Sequence, residues 1–500
     1  MPTTEIYSST IPFWALLVSL LAVPMILWST KKPNLREFWT LVAAAIKFVL
    51  VLSLLPGALE GRVAEVVLFE VVAGIEFSLR ADSMGVFFAI VASGLWILTS
   101  FYSIGYMRGN KEKKQTRYFA SFALSLSATI GIAFSANLLT FIIFYELLTL
   151  ATYPLVVHKE NREAIRAGRQ YLAFALLAGV FLIAGAAWIY QATGTLDFQA
   201  GGILETDTFG PGAFKVIFLM FLVGIGVKSG IMPLQAWLPN AMVAPTPVSA
   251  LLHAVAVVKS GVFGMVRVVG YVFGPEVMEA HGLNITLALL AGATILLSSL
   301  IALQQTNLKR MLAYSTVGHL SYIILGLSLL STEGFLGGVL HISTHATMKI
   351  TLFFCAGAIY VHTHKQDIRD LDGIGKAMPW TLGAFTIGAM GLAGLPPING
   401  FLSKWYLGVG SLEAGHVIAL FVLLLSGLLN AAYLFPIVYR AFFKDSGNFK
   451  GVGEASPFMV VPLCITGALS VVFFFAPNLF FSLFELAADV AVSVMGEAHE

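Results

Sequence analysis

Long apolar runs separated by short polar stretches organise this chain from end to end. A helix needs about 20 mostly apolar residues to cross a bilayer core. Runs of that kind lie near 11–29, 39–58, 84–106, 117–134, 137–156, 168–190, 214–240, 247–272, 283–304, 310–330, 335–361, 380–411, 416–441 and 457–490. The pattern therefore predicts about 14 transmembrane helices. Ala64–Leu79 breaks the pattern: its β-branched residues and internal Gly74 read as a short hairpin on the membrane surface. Residues 191–213, with Asp197, Glu205 and Asp207, form a longer polar connection.

Composition agrees with the pattern. Hydrophobic residues make up 58% of the 500, charged residues 11%, and the mean hydropathy is +0.86. Soluble domains carry about 25% charged residues, so the chain reads as an all-α polytopic membrane protein. A net charge of +2 gives no reason to expect nucleic acid as a partner. Cys355 and Cys464 form no CxxC pair, which excludes a disulfide scaffold or an iron–sulfur cluster built from this chain alone. The N-terminal MPTTEIYSST has no basic stretch, so Ile11–Ser29 is expected to be a retained span rather than a cleaved signal.

Basic residues sort by side. Lys31, Lys32 and Arg36 follow the first span; Arg108, Lys111, Lys113, Lys114 and Arg117 the third; Lys159, Arg162, Arg166 and Arg169 the fifth. Lys309 and Arg310, then Lys365, Arg369 and Lys376, then Arg440, Lys444 and Lys450 follow the ninth, eleventh and thirteenth. The opposite face keeps only Arg62, Arg80 and Lys215. The positive-inside rule makes the crowded face cytoplasmic and puts both termini outside.

Charges inside the apolar runs carry the functional reading, because a charged side chain near a bilayer centre costs roughly 3 kcal/mol or more. Gly224–Gly264 places Lys228 and Lys259 in such runs, with Pro233, Pro239, Pro245 and Pro247 between them. Proline cannot continue an unbroken helix, and freed backbone groups are tolerated only against protein or a watery cavity. Glu146 lies mid-span with no other acid nearby, and Lys228 is its expected partner, in a pair that opens and closes or a static one that fixes packing. His253 precedes Lys259 by six residues, roughly 9 Å along a helix and on a different face, so it is either a relay through water or a satisfied core histidine.

His341, His345 and Lys349 recur every four residues and make one stripe on one helix face. Metal sites need three or four ligands and this stripe has no carboxylate or cysteine, so a titratable row is expected there and no metal or cofactor. Ser343 and Thr344 can hold water beside it, while His362 and His364 read as solvated. Lys404 follows Pro396, Pro397 and Gly400. Lys47 and Arg267 read as snorkelling or structurally paired, and Glu485 and Asp489 as a helix end reaching water. Lys228 before Pro233 and Lys404 after Pro397 stand five spans apart, as inverted repeats with interrupted helices would place them. His319 is then the positional counterpart of Glu146.

These residues sit in FYELLTLATYPLV (144–156), GVKSGIMPLQAWLPNAMVAPTPVSALLHAVAVVKSG (226–261), LKRMLAYSTVGHLSY (308–322), HISTHATMKITLFFCAGA (341–358) and GLPPINGFLSKW (394–405). In these motifs, and over nearly its whole length, the chain resembles the antiporter-like subunits of respiratory complex I, Mrp-type cation/proton antiporters and membrane-bound hydrogenases. The resemblance implies 14 helices in four parts: residues 1–116 (helices 1–3 and the hairpin), an inverted repeat over 117–272 (helices 4–8), its partner over 283–441 (helices 9–13), and 442–500 with helix 14. Helices 7 and 12 should be broken. Glu146 and Lys228 look like the family's gating pair, Lys259 like its central lysine, and Lys404 like the lysine of the exit half-channel; the residues themselves add His341, His345 and Lys349 as proton carriers between and His253 and His319 as candidate relays.

A lysine at 404 is like the L and N types and the D type of the antiporters, where the M type has an acid. An end at residue 500 disfavours the long C-terminal extension of the L type and of the antiporter A type. The resemblance thus implies a non-enzymatic, proton-translocating subunit most similar to the D type of Mrp antiporters, in a prokaryotic plasma membrane. Its partners would be further membrane subunits, protons and Na+ as the candidate exchanged cation. The alternative is a proton-pumping subunit of a complex I-like NADH-quinone oxidoreductase or a membrane-bound hydrogenase. An enzyme holding quinone or haem through its intramembrane histidines, or a spacer subunit with vestigial charges, are the readings from other classes.

Overall fold

The computed structural model describes residues 5–72, 74–444, 449 and 451–496. Lys450 and the outermost residues of both ends, 1–4 and 497–500, lie outside the described residues. The helices run α1 (Ile11–Trp28), α2 (Pro33–Leu52), α3 (Ser83–Gly109), α4 (Gln115–Ala133), α5 (Leu138–Val156), α6 (Arg162–Thr193), α7 (Pro211–Ser229) and α8 (Thr246–Ala280). They continue with α9 (Leu283–Leu303), α10 (Leu308–Ser328), α11 (Thr332–Thr363), α12 in two halves (Pro379–Ala393 and Asn399–Glu413), α13 (Val417–Phe443), α14 (Pro457–Phe475) and α15 (Leu483–Met495). Twelve described helices are long and apolar enough to cross a membrane. α4, α12 and α15 are not among them: α4 carries a row of serines, each half of α12 is only 15 residues long and α15 only 13.

Two local features differ from the sequence pattern, and the break expected in α7 is present. The run near 457–490 is not one helix: α14 stops at Phe475 before Pro477, and α15 starts after Asn478, whose side chain accepts from the Glu485 N–H at 3.0 Å. Glu485 and Asp489 therefore belong to a separate helix, packed against α11. α8 is not uniform either; it widens into π-helical turns at Leu251–Val255 and Val268–Phe273, and such turns gather at functional sites. α7 stops at Gly230 (φ 70°) and resumes as short turns through Trp237–Asn240.

The expected hairpin is present. β2 (Arg62–Val72) pairs antiparallel with β3 (Ile75–Ala81), and β1 (Glu5–Ser8) adds a parallel edge strand that local patterning did not indicate. The Arg80–Glu65 ion pair, at 2.8 Å, lies across the two long strands.

The loops sort onto two faces. On one, Arg108 meets Glu37, Lys114 and Arg117 meet Glu160, the Leu308 N–H donates to the Gln366 carbonyl (2.9 Å) and Arg440 pairs with Asp372 (2.7 Å). On the other, the hairpin bonds to the α4–α5 turn (Ala136 N–H to Ser78 O, 3.2 Å) and the 194–210 loop bonds to α8 (Ile203 N–H to Val272 O, 3.0 Å). β1 and the end of α15, where Val494 packs on Gly270, both lie on this hairpin face.

At the loop after α5, the Lys114 and Arg117 hydrogen bonds hold the Glu160 carboxyl down at about 2. Burial, then Arg117, pushes the His158 imidazole down to about 4. A histidine kept neutral in the fold is protonated first in the unfolded chain, so stability falls as pH drops from about 6.5, the free value, toward the folded value. Glu160 has the opposite requirement: its contribution persists above the free carboxylate value and fades only as pH falls toward about 2. The midpoint of thermal unfolding in detergent is expected to drop between pH 6.5 and 4, and His158→Gln to flatten that drop. An unchanged slope in the variant would assign the acid sensitivity elsewhere.

α11 is the axis of the packing. Every residue from Gly334 to Ile359 is buried, and the helix touches α3, α8, α10, both halves of α12, α14 and α15. Small residues permit this: a Cβ on Gly337 would stand 2.6 Å from the Leu407 nitrogen, and one on Gly338 2.9 Å from the Ile323 carbonyl oxygen. The apolar side chains left exposed lie on outer helices, Leu177 on α6, Leu289 on α9 and Leu428 on α13. Polar side chains on α11 are thus enclosed by protein on all sides.

Candidate functional site

Lys228 occupies the last turn of α7, just before the Gly230–Pro233 interruption, and is fully buried. A helix C-terminus carries partial negative charge, which favours a cation there. Its ammonium donates to the Tyr145 carbonyl and sits 3.4 Å from the Tyr145 ring centroid. Such a desolvated cation–π contact is worth about 2 kcal/mol, less than the roughly 3 kcal/mol that burying the charge costs.

Glu146, the next residue along α5, does not close an ion pair with Lys228. Both its carboxylate oxygens are buried without a hydrogen-bond partner, and the group rests over Gly179 of α6, where a Cβ would come within 2.8 Å of it. In this structure the expected acid–lysine pair stands open, with Lys228 held by the Tyr145 backbone and ring and Glu146 resting over Gly179.

A second cluster surrounds α11. Lys259, buried in α8 just past the first π turn, lies 2.9 Å from His345 Nδ1. The His345 and His319 rings stack at 5.2 Å, His319 and His341 at 5.4 Å, and His319 Nδ1 is 3.2 Å from His341 Nε2. His341 Nδ1 reaches Ser403 Oγ at 2.8 Å, which in turn is 3.0 Å from Thr344 Oγ1. Lys349 takes the other end of the stripe and donates to Ser315 Oγ at 2.8 Å.

Two elements that sequence reasoning did not connect complete this cluster. The break in α12 leaves the Leu392 carbonyl without an intrahelical donor, because the residue four places on is Pro396. Lys404, from the second half of α12, donates to that carbonyl at 2.6 Å and faces the Tyr322 ring at 5.1 Å. Asn430 of α13 also donates to it, at 3.1 Å, while lying 3.2 Å from His319 Nε2 and 2.6 Å from the Tyr433 hydroxyl; that hydroxyl is 2.8 Å from Ser315 Oγ. Asn430, Tyr433 and Ser315 went unremarked because none carries charge. The available signal was a lone amide in the apolar run Leu423–Tyr433, since a buried polar group in such a run must be bonded.

Lys259, His345, His319, His341, Lys349 and Lys404 are thus brought into one hydrogen-bonded and stacked group. Lys228 and Glu146 stand apart from it at side-chain level, although Gly261 lets α8 pack directly on the backbone of Lys228 and Ser229. His253 joins neither cluster by a hydrogen bond; both its ring nitrogens are buried and unpartnered, with Phe353 at 5.0 Å. Ser260 Oγ and His345 Nε2 are also buried without partners, and buried polar atoms of this kind are where internal water binds.

Comparison with known proteins places the chain in a family. Residues 71–119 match the family described as NADH-Ubiquinone oxidoreductase (complex I), chain 5 N-terminus. The chain is 33% identical to the N-type subunit of NADH-quinone oxidoreductase from Desulforudis audaxviator, over 71% of this chain and 72% of that one. It is 29% identical to the D-type subunit of the Na(+)/H(+) antiporter from Alkalihalophilus pseudofirmus, over 83% of each. Several longer relatives are covered over only 50% to 55% of their length. The fold is shared with a chain of the Mrp complex from Dietzia sp. (TM-score 0.86, 19% identity, 97% of both chains). Residues 135–429, more than half of the 500, match the family described as NADH:quinone oxidoreductase/Mrp antiporter, TM, and the chain is a member of that family.

Proposed function

We propose that this chain is the proton-translocating, antiporter-like membrane subunit of a multisubunit complex, and that Glu146, Lys228, Lys259, His341, His345, Lys349 and Lys404 carry the protons, with His319 and His253 as relays. The observation that carries this reading is the array of buried basic groups from Lys259 to Lys404, joined by hydrogen bonds and ring stacking with no carboxylate among them. A static core gains little from several enclosed, unpaired amines; a wet path that passes one charge at a time requires them.

Lys228 and Lys404 both lie against the negative ends of interrupted helices, α7 and the first half of α12. Half-helix ends of this kind coordinate cations in transporters. This supports two inverted five-helix repeats over 117–272 and 283–441, with α4 and α12 as the remaining two of 14 spans. Basic loops gathered on one face support a cytoplasmic placement of that face in a prokaryotic plasma membrane, with both chain ends outside. Likeness over 83% of the D-type antiporter relative favours an Mrp-type complex exchanging Na+ for protons. The 33% identity to the N-type relative from an NADH-quinone oxidoreductase favours a redox-driven complex, in which the chemistry belongs to other subunits.

Glu146→Gln tests the reading. Among the described residues the Glu146 carboxyl is the only acid acting on Lys228, and removing it takes away the negative charge that the proposed gating of that amine needs. Proton flux in proteoliposomes of the purified complex is expected to fall roughly tenfold, about 1.4 kcal/mol in barrier, with assembly intact. Unaltered flux would make the charges vestigial and the chain a spacer.

A further inference from the structure

We infer that Asn430 is the positioning residue that decides whether His319 can take a proton, and so couples Lys404 to the histidine stack; the inference rests on the translocation reading above. The Leu392 carbonyl can only accept, so the group 3.1 Å from it must be the amide NH2 of Asn430. The Tyr433 hydroxyl, 2.6 Å from Oδ1, fixes the other end of the amide. Of the two acceptors left to the second amide hydrogen, His319 Nε2 at 3.2 Å lies nearer than the Tyr322 hydroxyl at 3.5 Å, so Nε2 takes it and is bare of a proton.

His319 consequently carries its proton on Nδ1 and donates it to His341 Nε2, leaving the His341 proton on Nδ1 for Ser403 Oγ. One amide orientation therefore sets the tautomer of two imidazoles in series.

For a proton to cross this pair, His319 Nε2 must first receive it. The Nδ1 proton then passes to His341 Nε2, and the His341 Nδ1 proton passes to Ser403 Oγ as that hydroxyl gives up its own proton toward Thr344 Oγ1, 3.0 Å away, each group gaining one proton and giving one. With its NH2 toward Nε2, Asn430 blocks the first step. Rotating the amide by a half turn brings Oδ1 to Nε2 as an acceptor and sets it against the Leu392 carbonyl oxygen, a contact between two acceptors that the Lys404 ammonium bonded to that carbonyl offsets. The same turn breaks the bond to Tyr433 and reaches Lys349 through Ser315. The groups facing His319 are His341, His345 and Lys349 from α11, Lys259 from α8, Lys404 from α12, Tyr322 on its own helix, and Asn430 itself with Tyr433 behind it on α13. None of these is acidic.

Asn430→Asp offers His319 a permanent acceptor. In the intact complex in proteoliposomes, the pH at which proton flux is half-maximal on the alkaline side is expected to rise by about one unit, the low end of what a new opposite charge does. Histidine-15N NMR of the same complex, assigned with His319→Gln, should show the pH at which His319 passes from the Nδ1–H neutral form to the doubly protonated form rise by a similar amount. Tyr433→Phe, which frees the amide without adding charge, should give a smaller change in the same direction. Variants that lower the flux but leave both the profile and the His319 signal as in wild type would overturn the inference and leave Asn430 as packing. A wild-type complex that moves no protons, yet shows the His319 change in Asn430→Asp, would overturn the translocation reading and leave the tautomer assignment standing.

Discussion

Lys259→Ala is expected to stop proton movement outright, with flux down by at least about 100-fold, or roughly 2.7 kcal/mol in barrier. Among the described residues Lys259 is the only hydrogen-bonded link from α8 to the histidine stack, through His345 at 2.9 Å. On its other side lie the buried, unpartnered Ser260 hydroxyl and the backbone approach of Gly261 to Lys228. Without the amine, no described hydrogen bond joins α8 to the stack, and His253, the other buried titratable group in that part of α8, has no hydrogen-bond partner. Burial alone does not make a lysine essential, and Lys47 supplies the control. It is equally buried, donates to Ser19 Oγ (2.6 Å) and the Leu126 carbonyl (3.1 Å), and lies near Trp96, away from both clusters. Lys47→Met should keep flux within about twofold of wild type, whereas Lys259→Ala should not. Equal losses in the two variants, at equal assembly, would mean that buried lysines here serve packing in general.

Much of this arrangement was legible in the sequence because it is local. Pro233 and Pro396 announce broken helices, since a residue without an N–H must leave a carbonyl four places earlier unbonded. The spacing of His341, His345 and Lys349 puts three side chains on one helix face whatever surrounds them. The hairpin around Gly74 is likewise a short-range feature. What was not legible depends on partners distant in sequence. The parallel pairing of Glu5–Ser8 with β2 carries no local signal. Whether Glu146 touches Lys228 is decided by Gly179 and the Tyr145 ring, which offer each charge a different resting place. Lys47 neither snorkels nor meets an acid, because α1 and α4 supply a hydroxyl and a carbonyl instead. Asn430 has meaning only once Pro396 has bared the Leu392 carbonyl, a relation between two helices that no single-helix pattern contains.

The largest loss of stability is expected at Asp82, on the hairpin face. Arg267, open as snorkelling or paired from sequence, is paired: its guanidinium is bound by both oxygens of Asp82, at 2.5 and 2.7 Å, and its side chain is only 2% exposed. Tyr271 at 4.5 Å and Phe198 and Phe263 at 5.1 Å enclose it. Asp82 does a second job as the N-cap of α3, accepting from the Gly85 N–H at 2.8 Å. Asp82→Ala removes both functions. An uncompensated buried charge costs about 3–5 kcal/mol and a lost cap about 1 kcal/mol, so the variant should unfold in detergent at a much lower temperature. Asp82→Asn keeps an oxygen for the cap and loses only the first part. Asp82→Ala combined with Arg267→Met should regain most of the loss, because an apolar side chain suits the three rings once the charge is gone. If Asp82→Ala lies within about 1 kcal/mol of wild type, solvent reaches Arg267 and screens it as at an exposed pair. The tie between the start of α3 and the hairpin-face end of α8 would then have to come from the aromatic packing alone.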